Sequence, residues 1–165
     1  DLVRSRGLGD VYKRQDSRID ASPQILWDSW QCRRYQGRVY VMPQLPMLDS
    51  ERVWQCSADD LLSNASFGDL SFLHTKGKGM RLDISRPLTV SFDREGVRCR
   101  PLGREHSQSL KKLFQETSVP PWLRERTPLI YQDDQLLAVG DWWICADAAV
   151  SGNEKGYVPQ WELPG

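Results

Sequence analysis

The chain has little of what most catalytic and metal sites are made from. Its 165 residues contain only two histidines, His74 and His106, and four cysteines, Cys32, Cys56, Cys99 and Cys145, none of them two or three residues from another. Cys-x-x-Cys metal clamps are therefore excluded and a zinc site is not expected, nor can a Ser/His/Asp or Cys/His catalytic set be argued. Nothing marks the chain as secreted, so the thiols read as reduced and mostly buried, with Cys32 and Cys99 in alternating strand-like contexts that favour burial. There is no apolar run long enough to span a bilayer and no hydrophobic signal segment near the start, so no membrane partner and a cytoplasmic location are expected. A phosphate-cradling loop is missing too. The one glycine-rich candidate, Lys76-Gly-Lys-Gly-Met80, lacks the required spacing and the Lys-Ser/Thr ending, and reads as a turn between strands.

Net charge is the last absence: 22 Lys and Arg balance 22 Asp and Glu, which taken whole argues against a polyanion partner. Splitting the chain changes that. Residues 1–48 carry +3, 49–93 carry −2, 94–126 carry +4 and 127–165 carry −5. A fold that segregates these blocks would present a basic face able to meet phosphate and an acidic side turned away. What is present otherwise is ordinary for a globular protein: 39% hydrophobic and 27% charged residues, with seven tryptophans to anchor a core. The length fits one domain of about 100–150 residues plus a piece of another.

Periodicity gives a strand-rich chain interrupted by helix. Trp30 to Met42 predicts a hairpin turning at Gln36-Gly37, followed by a linker through Pro43, Pro46 and Asp49-Ser50. Strands are expected at Arg52–Cys56 and Gly68–Phe72. Leu88, Val90 and Phe92 alternate, Asp93 to Gly96 turns, and Val97 with Cys99 is expected to return, placing Arg98 and Arg100 on its opposite face. Leu129–Tyr131 and Leu136–Val139 predict a second hairpin about Gln132-Asp133-Asp134. Trp142–Cys145 reads as buried or as an inner strand, and Tyr157–Trp161 as a final strand held to an edge by Pro159. The predicted class is α+β, with an antiparallel β-rich C-terminal domain and helices packed over one side of its sheets.

The helical interruption is the most specific stretch. Leu110, Leu113 and Phe114 fall at i, i+3 and i+4 and share one face, while Lys111, Lys112 and Gln115 point elsewhere. Ser107 is the predicted N-cap. Val119 precedes a proline and is biased away from the helical region, so the helix should end near Ser118. Pro121 can open a second short helix from Trp122 to Arg126, because a first-turn proline forfeits no helical hydrogen bond. The result is a compact corner bearing Lys111, Lys112, Arg124 and Arg126, in which Trp122 is expected to be a packing anchor beside Pro120 and Pro121.

Gly103-Arg104, Leu110 to Glu116, Val119-Pro-Pro-Trp-Leu-Arg124 and Pro128-Leu129 together resemble the C-terminal domain of the tRNA(Ile)-lysidine synthetase family. Asp20-Ala-Ser-Pro23 followed by Cys32-Arg-Arg-Tyr-Gln-Gly-Arg-Val-Tyr40 resembles the end of the same family's middle, substrate-recognition domain. The resemblance implies an ATP-dependent ligase that joins lysine to the wobble cytidine of tRNA(Ile), with ATP and magnesium as cofactors of the whole enzyme. The Ser-Gly-Gly-x-Asp-Ser motif of its adenylating N-terminal domain does not occur here, so no catalytic residue and no bound cofactor are expected in this chain. Lysine and ATP would engage only with the missing domain.

For the basic residues the resemblance implies a grip on the tRNA, with Lys111 and Lys112 joined by Arg104, Arg124, Arg126, Arg98 and Arg100, arginine being suited to bidentate phosphate contact. The alternative is a structural or protein-interaction module whose helical corner docks on the missing N-terminal domain. The expected organisation is a non-native leader at 1–15, the truncated end of the middle domain with its linker at 16–48, and a C-terminal tRNA-binding domain at 49–165.

Overall fold

A computed structural model describes residues 24–164; the expected leader at 1–15 and the Asp20–Pro23 motif lie outside the described residues. The chain divides into two compact units, the first ending at Leu45 and the second beginning at Pro46.

The first unit holds three antiparallel strands in the order β1 (Gln24–Trp27), β2 (Trp30–Tyr35) and β3 (Arg38–Pro43). β2 and β3 form the expected hairpin, with Tyr35 opposite Arg38. Gln36 and Gly37 both have positive φ, 47° and 76°, which is the twist a two-residue hairpin turn requires. Cys32 is only half-buried; the buried position is Gln31, whose amide donates to the Pro43 carbonyl at 3.0 Å and whose oxygen accepts from Gln24 and Arg33. A strand fully exposed on one side has no deep core to receive a thiol, so alternation alone overstated the burial of Cys32.

The second unit is built in layers. Its central sheet has five strands in the order β12-β11-β10-β7-β4, where β4 is Trp54–Cys56, β7 Leu88–Ser91, β10 Leu129–Gln132, β11 Gln135–Val139 and β12 Trp143–Ile144. A second sheet pairs β13 (Lys155–Glu162) with β6 (Gly68–Lys76) and β6 with β5 (Leu62–Asn64). Leu88, Val90, Ile130 and Ala138 of the central sheet meet Leu70, Phe72 and Tyr157 of the second in the larger core. Trp54, Phe67 and Phe92 form a ring cluster at one end of it, with centroids 4.8–5.4 Å apart. Trp161 closes that end by donating its indole N–H to the Phe67 carbonyl at 2.7 Å.

The opposite face of the central sheet carries the helices. α1 (Leu110–Glu116) and α2 (Pro121–Arg124) cover Leu129 and Val139, and the smaller core joins these to Leu110, Leu113, Phe114, Val119, Cys99 and Cys145. Leu129 and Ile130 are chain neighbours with opposite destinations, one under the helices and one under the second sheet, as strand geometry demands. The α+β class with helices on one side is thus the observed architecture.

Three local expectations are corrected. The segment after Phe92 does not return as a partner of β7. Instead β8 (Arg98–Cys99) pairs with β9 (Gln108–Ser109), just ahead of α1. Trp143–Ile144 is an edge strand, paired on one side only, and Trp142 is 39% exposed. The helix cap is Ser109, which accepts from the Lys112 amide at 3.3 Å, because β9 keeps the chain extended through Ser107. The Lys76–Met80 segment is a tight turn, with Gly77 and Gly79 at φ 71° and 88°. β13 lies at a sheet edge, as Pro159 requires.

Candidate nucleic-acid interface

α1 is where packing and charge separate most cleanly. Leu110, Leu113 and Phe114 are at most 1% exposed, and Phe114 lies 5.2 Å from the Trp143 ring. Lys111 and Lys112, on the other side of the same helix, are exposed, and neither forms an ion pair with a described carboxylate. The helix stops in a six-residue cap: Ser118 takes a left-handed conformation at φ 57°, its N–H bonds the Gln115 carbonyl at 3.2 Å, and the Val119 N–H bonds Phe114 at 3.0 Å. Val119 is buried beside Phe114, completing the apolar contact that accompanies this cap. Trp122 is 5% exposed, a packing anchor rather than a platform open to bases.

The arginines divide into those at the surface and those used by the fold. Arg98 donates to the Ser107 hydroxyl at 3.4 Å and to its carbonyl at 3.0 Å, bracing the β8–β9 loop. Arg100 pairs with Asp147 at 2.7 Å and Arg104 with Glu116 at 2.8 Å. Exposed pairs of this kind contribute about 0–1 kcal/mol, so a phosphate can displace the carboxylate at little cost. Arg124 folds back so that its Nε donates to the Val119 carbonyl at 2.5 Å, tying α2 to the end of α1. Arg126 is 9% exposed and donates to the Ser66 carbonyl, which withdraws it from the surface and makes it a structural residue. Sequence placed Arg126 on the basic corner because a helix reaching Arg126 would turn it outward. The helix ends at Arg124 instead, and the chain then turns into β10.

Arg98 and Arg104 thus flank the loop that leads into α1, and Lys111 and Lys112 open the helix itself. Arg100 stands beyond Cys99 on the same strand side as Arg98. Among the described residues no group of three or more His, Cys, Asp or Glu is placed to hold a metal ion. The Cys99 and Cys145 sulfurs lie 3.0 Å apart in the smaller core, and the hydrogen bond between them pushes the Cys145 thiol up, helped by burial, while it draws the Cys99 thiol down. No helix among the described residues is long and apolar enough to cross a membrane. The arrangement presents positive charge on a helix packed against the sheet.

Residues 88–161 match the family described as TilS substrate C-terminal domain, and residues 5–40 match the TilS substrate binding domain. The chain belongs to the TilS family. All seven basic candidates lie inside the C-terminal TilS match. The substrate-binding match begins within the segment expected to be a leader, among residues that are not described here. Among relatives, the tRNA(Ile)-lysidine synthase of Serratia proteamaculans is 35% identical over 152 residues, 90% of this chain and 32% of that protein. Those of Photobacterium profundum and Methylococcus capsulatus are 37% and 34% identical, over 78% and 86% of this chain and 30% and 33% of theirs. The chain therefore spans about a third of the length of these TilS relatives. The folded unit is larger than the C-terminal match: β4 pairs with β7, and β6 with β13, yet β4 and β6 both precede residue 88.

Proposed function

We propose that this chain is the tRNA-gripping portion of a tRNA(Ile)-lysidine synthase, and that residues 49–165 form its C-terminal tRNA-binding domain. In this reading residues 16–48 are the end of the middle recognition domain. The observation that carries it is the exposed, unpaired Lys111 and Lys112 on a helix whose other face is wholly buried, within a segment matching a TilS substrate domain. Arg104 and Arg100 extend the contact through weak ion pairs that phosphate can replace, with Arg98 held beside them by Ser107. The parent enzyme uses ATP with magnesium to activate the wobble cytidine of tRNA(Ile) for attack by lysine, in the cytoplasm. This chain supplies affinity away from the reacting base, which aids catalysis by holding that base in position.

The test is binding of the chain to a tRNA(Ile) transcript at two salt concentrations. Replacing Lys111 and Lys112 together with Ala should leave the fold within about 0.5 kcal/mol. It should also flatten the slope of log K against log salt by up to about one unit per lost phosphate. Leu113→Ala serves as the opposite control, costing about 2–5 kcal/mol of stability at a fully buried position. Unchanged affinity and slope in the double-lysine variant would refute the grip and favour docking of this helical corner on another domain.

A further inference from the structure

A second basic site lies on the other layer of the unit, where charge by sequence block predicted none. β6 and β13 run past the edge of the larger core, and their inner faces continue outward as an open cleft of about 320 Å³ lined by His74, Thr75, Lys76, Lys155, Gly156 and Tyr157. Registry puts Lys155 directly opposite Lys76, and Tyr157 opposite His74. Side chains opposite one another on antiparallel strands project to the same face, and both lysines line the cleft. Lys155 is the single cation of the −5 block 127–165, and it is spent facing another lysine.

Like charges directly opposite one another on paired strands are destabilising. The nearby carboxylates are engaged elsewhere: Asp59 holds the His74 Nε2 at 2.9 Å, and Glu154 holds Arg81 through two contacts of 2.8 and 3.0 Å. Neither Lys76 nor Lys155 forms an ion pair with a described residue. The cleft floor is rigid. A Cβ on Gly156 would sit 1.8 Å from the Lys78 carbonyl oxygen, and His74 packs edge-on to the Tyr157 ring at 4.7 Å. Two lysines without an ion-pair partner, lining one open cleft from facing strands, suit a phosphodiester, whose two free oxygens can each take one lysine.

We propose that the Lys76–Lys155 cleft is a second RNA-backbone contact, separate from the α1 surface and on the opposite layer of the unit. The inference rests on the tRNA-binding reading above and adds to it a site that holds one phosphodiester between two strands. The tRNA would then be held by two faces of one domain rather than by the helical corner alone.

The experiment uses the full chain and a tRNA(Ile) transcript, comparing Lys76→Gln, Lys155→Gln and their double variant with the Lys111→Ala/Lys112→Ala variant. Each glutamine variant should bind more weakly, and the double variant should flatten the salt slope by about one to two units. Its thermal midpoint should hold or rise, since the like-charge pair is gone. The charge-conserving Lys76→Arg/Lys155→Arg variant should restore both affinity and slope. If the double glutamine variant keeps wild-type affinity and slope while the α1 variant loses them, the cleft proposal fails and the grip at α1 stands. If neither surface matters, the tRNA-binding reading fails with it. A glutamine variant that melts lower than wild type and binds more weakly without a change of slope would also overturn the proposal, because the lysines would then be structural.

Discussion

The cap that ends α1 makes a sharp prediction at Ser118. This residue holds φ 57°, the left-handed region, so that two carbonyls of the last helical turn, Gln115 and Phe114, receive the N–H groups of Ser118 and Val119. For a residue with a Cβ that conformation costs about 1–2 kcal/mol, and glycine adopts it freely. Glycine in exchange loses about 0.5–1 kcal/mol more backbone entropy on folding. Ser118 is exposed and no hydrogen bond is formed by its hydroxyl, so the side chain itself contributes little. The net for Ser118→Gly is a gain of about 0.5–1 kcal/mol, seen as a rise in thermal midpoint of about 2–4 °C for a unit of this size. Ser118→Ala should be neutral within about 0.5 kcal/mol, and Ser118→Val should lose about 1 kcal/mol or more because β-branching crowds the same backbone. The assay is reversible thermal or urea unfolding followed through Trp143, which packs on Phe114. A glycine variant that melts below the alanine variant would show that the helix does not end in this cap.

Two further perturbations follow from the fold. Gly156→Ala must push its Cβ into the Lys78 carbonyl, 1.8 Å away, and should cost about 3 kcal/mol or more. Gly96→Ala, with nothing within 4 Å but a φ of 69°, should cost only the conformational strain of about 1–2 kcal/mol; unfolding midpoints of the two variants check the order. Burial, reinforced by the Asp60 carboxylate, pushes the Cys56 thiol up to about 11. The unfolded chain loses this proton first, near the ordinary thiol pKa of about 8.5, so stability should fall as pH rises from there towards 11. The Cys56→Ala variant should lack that component, and urea midpoints at pH 8 and pH 10.5 for both proteins would show it.

What could be read from the sequence was whatever depended on short-range pattern. Leu110, Leu113 and Phe114 landed in the core, the Gln36-Gly37 and Asp133-Asp134 turns formed, and Pro121 opened its helix, because periodicity and turn chemistry are local. Pairing was harder. Val97 and Cys99 carry the alternation of a strand returning on β7, but the partner chosen was Gln108–Ser109, a pairing fixed by where α1 must pack. Leu62–Asn64 is a strand through its pairing with β6, which short-range pattern does not show. The basic surface was legible at Lys111 and Lys112, whose direction follows from helix geometry. The burial of Arg126 could not be read there, because it depends on Ser66, sixty residues away in sequence. The Lys76–Lys155 pair was invisible for the same reason: each lysine sat in a block of net negative charge, and only strand registry joins them.

The two-sided burial of β10 and β11 bears on how their alignment is secured. In a strand with one wet face, a one-residue slip drives polar side chains inward and is rejected at once. Here Leu136, Leu137, Ala138 and Val139 are all apolar, so a slip would exchange one hydrophobic residue for another. Registration must come from elsewhere. Ile130 faces Ala138 but Tyr131 faces Leu136, so Leu137 is an extra residue in β11 and points with Ala138 into the same core. That bulge, the Asp133 turn at φ 52°, and the size difference between Ala138 and its leucine neighbours are what keep the helical layer and the sheet layer in step. Shape, not polarity, holds the alignment of the strands on which the basic helix rests.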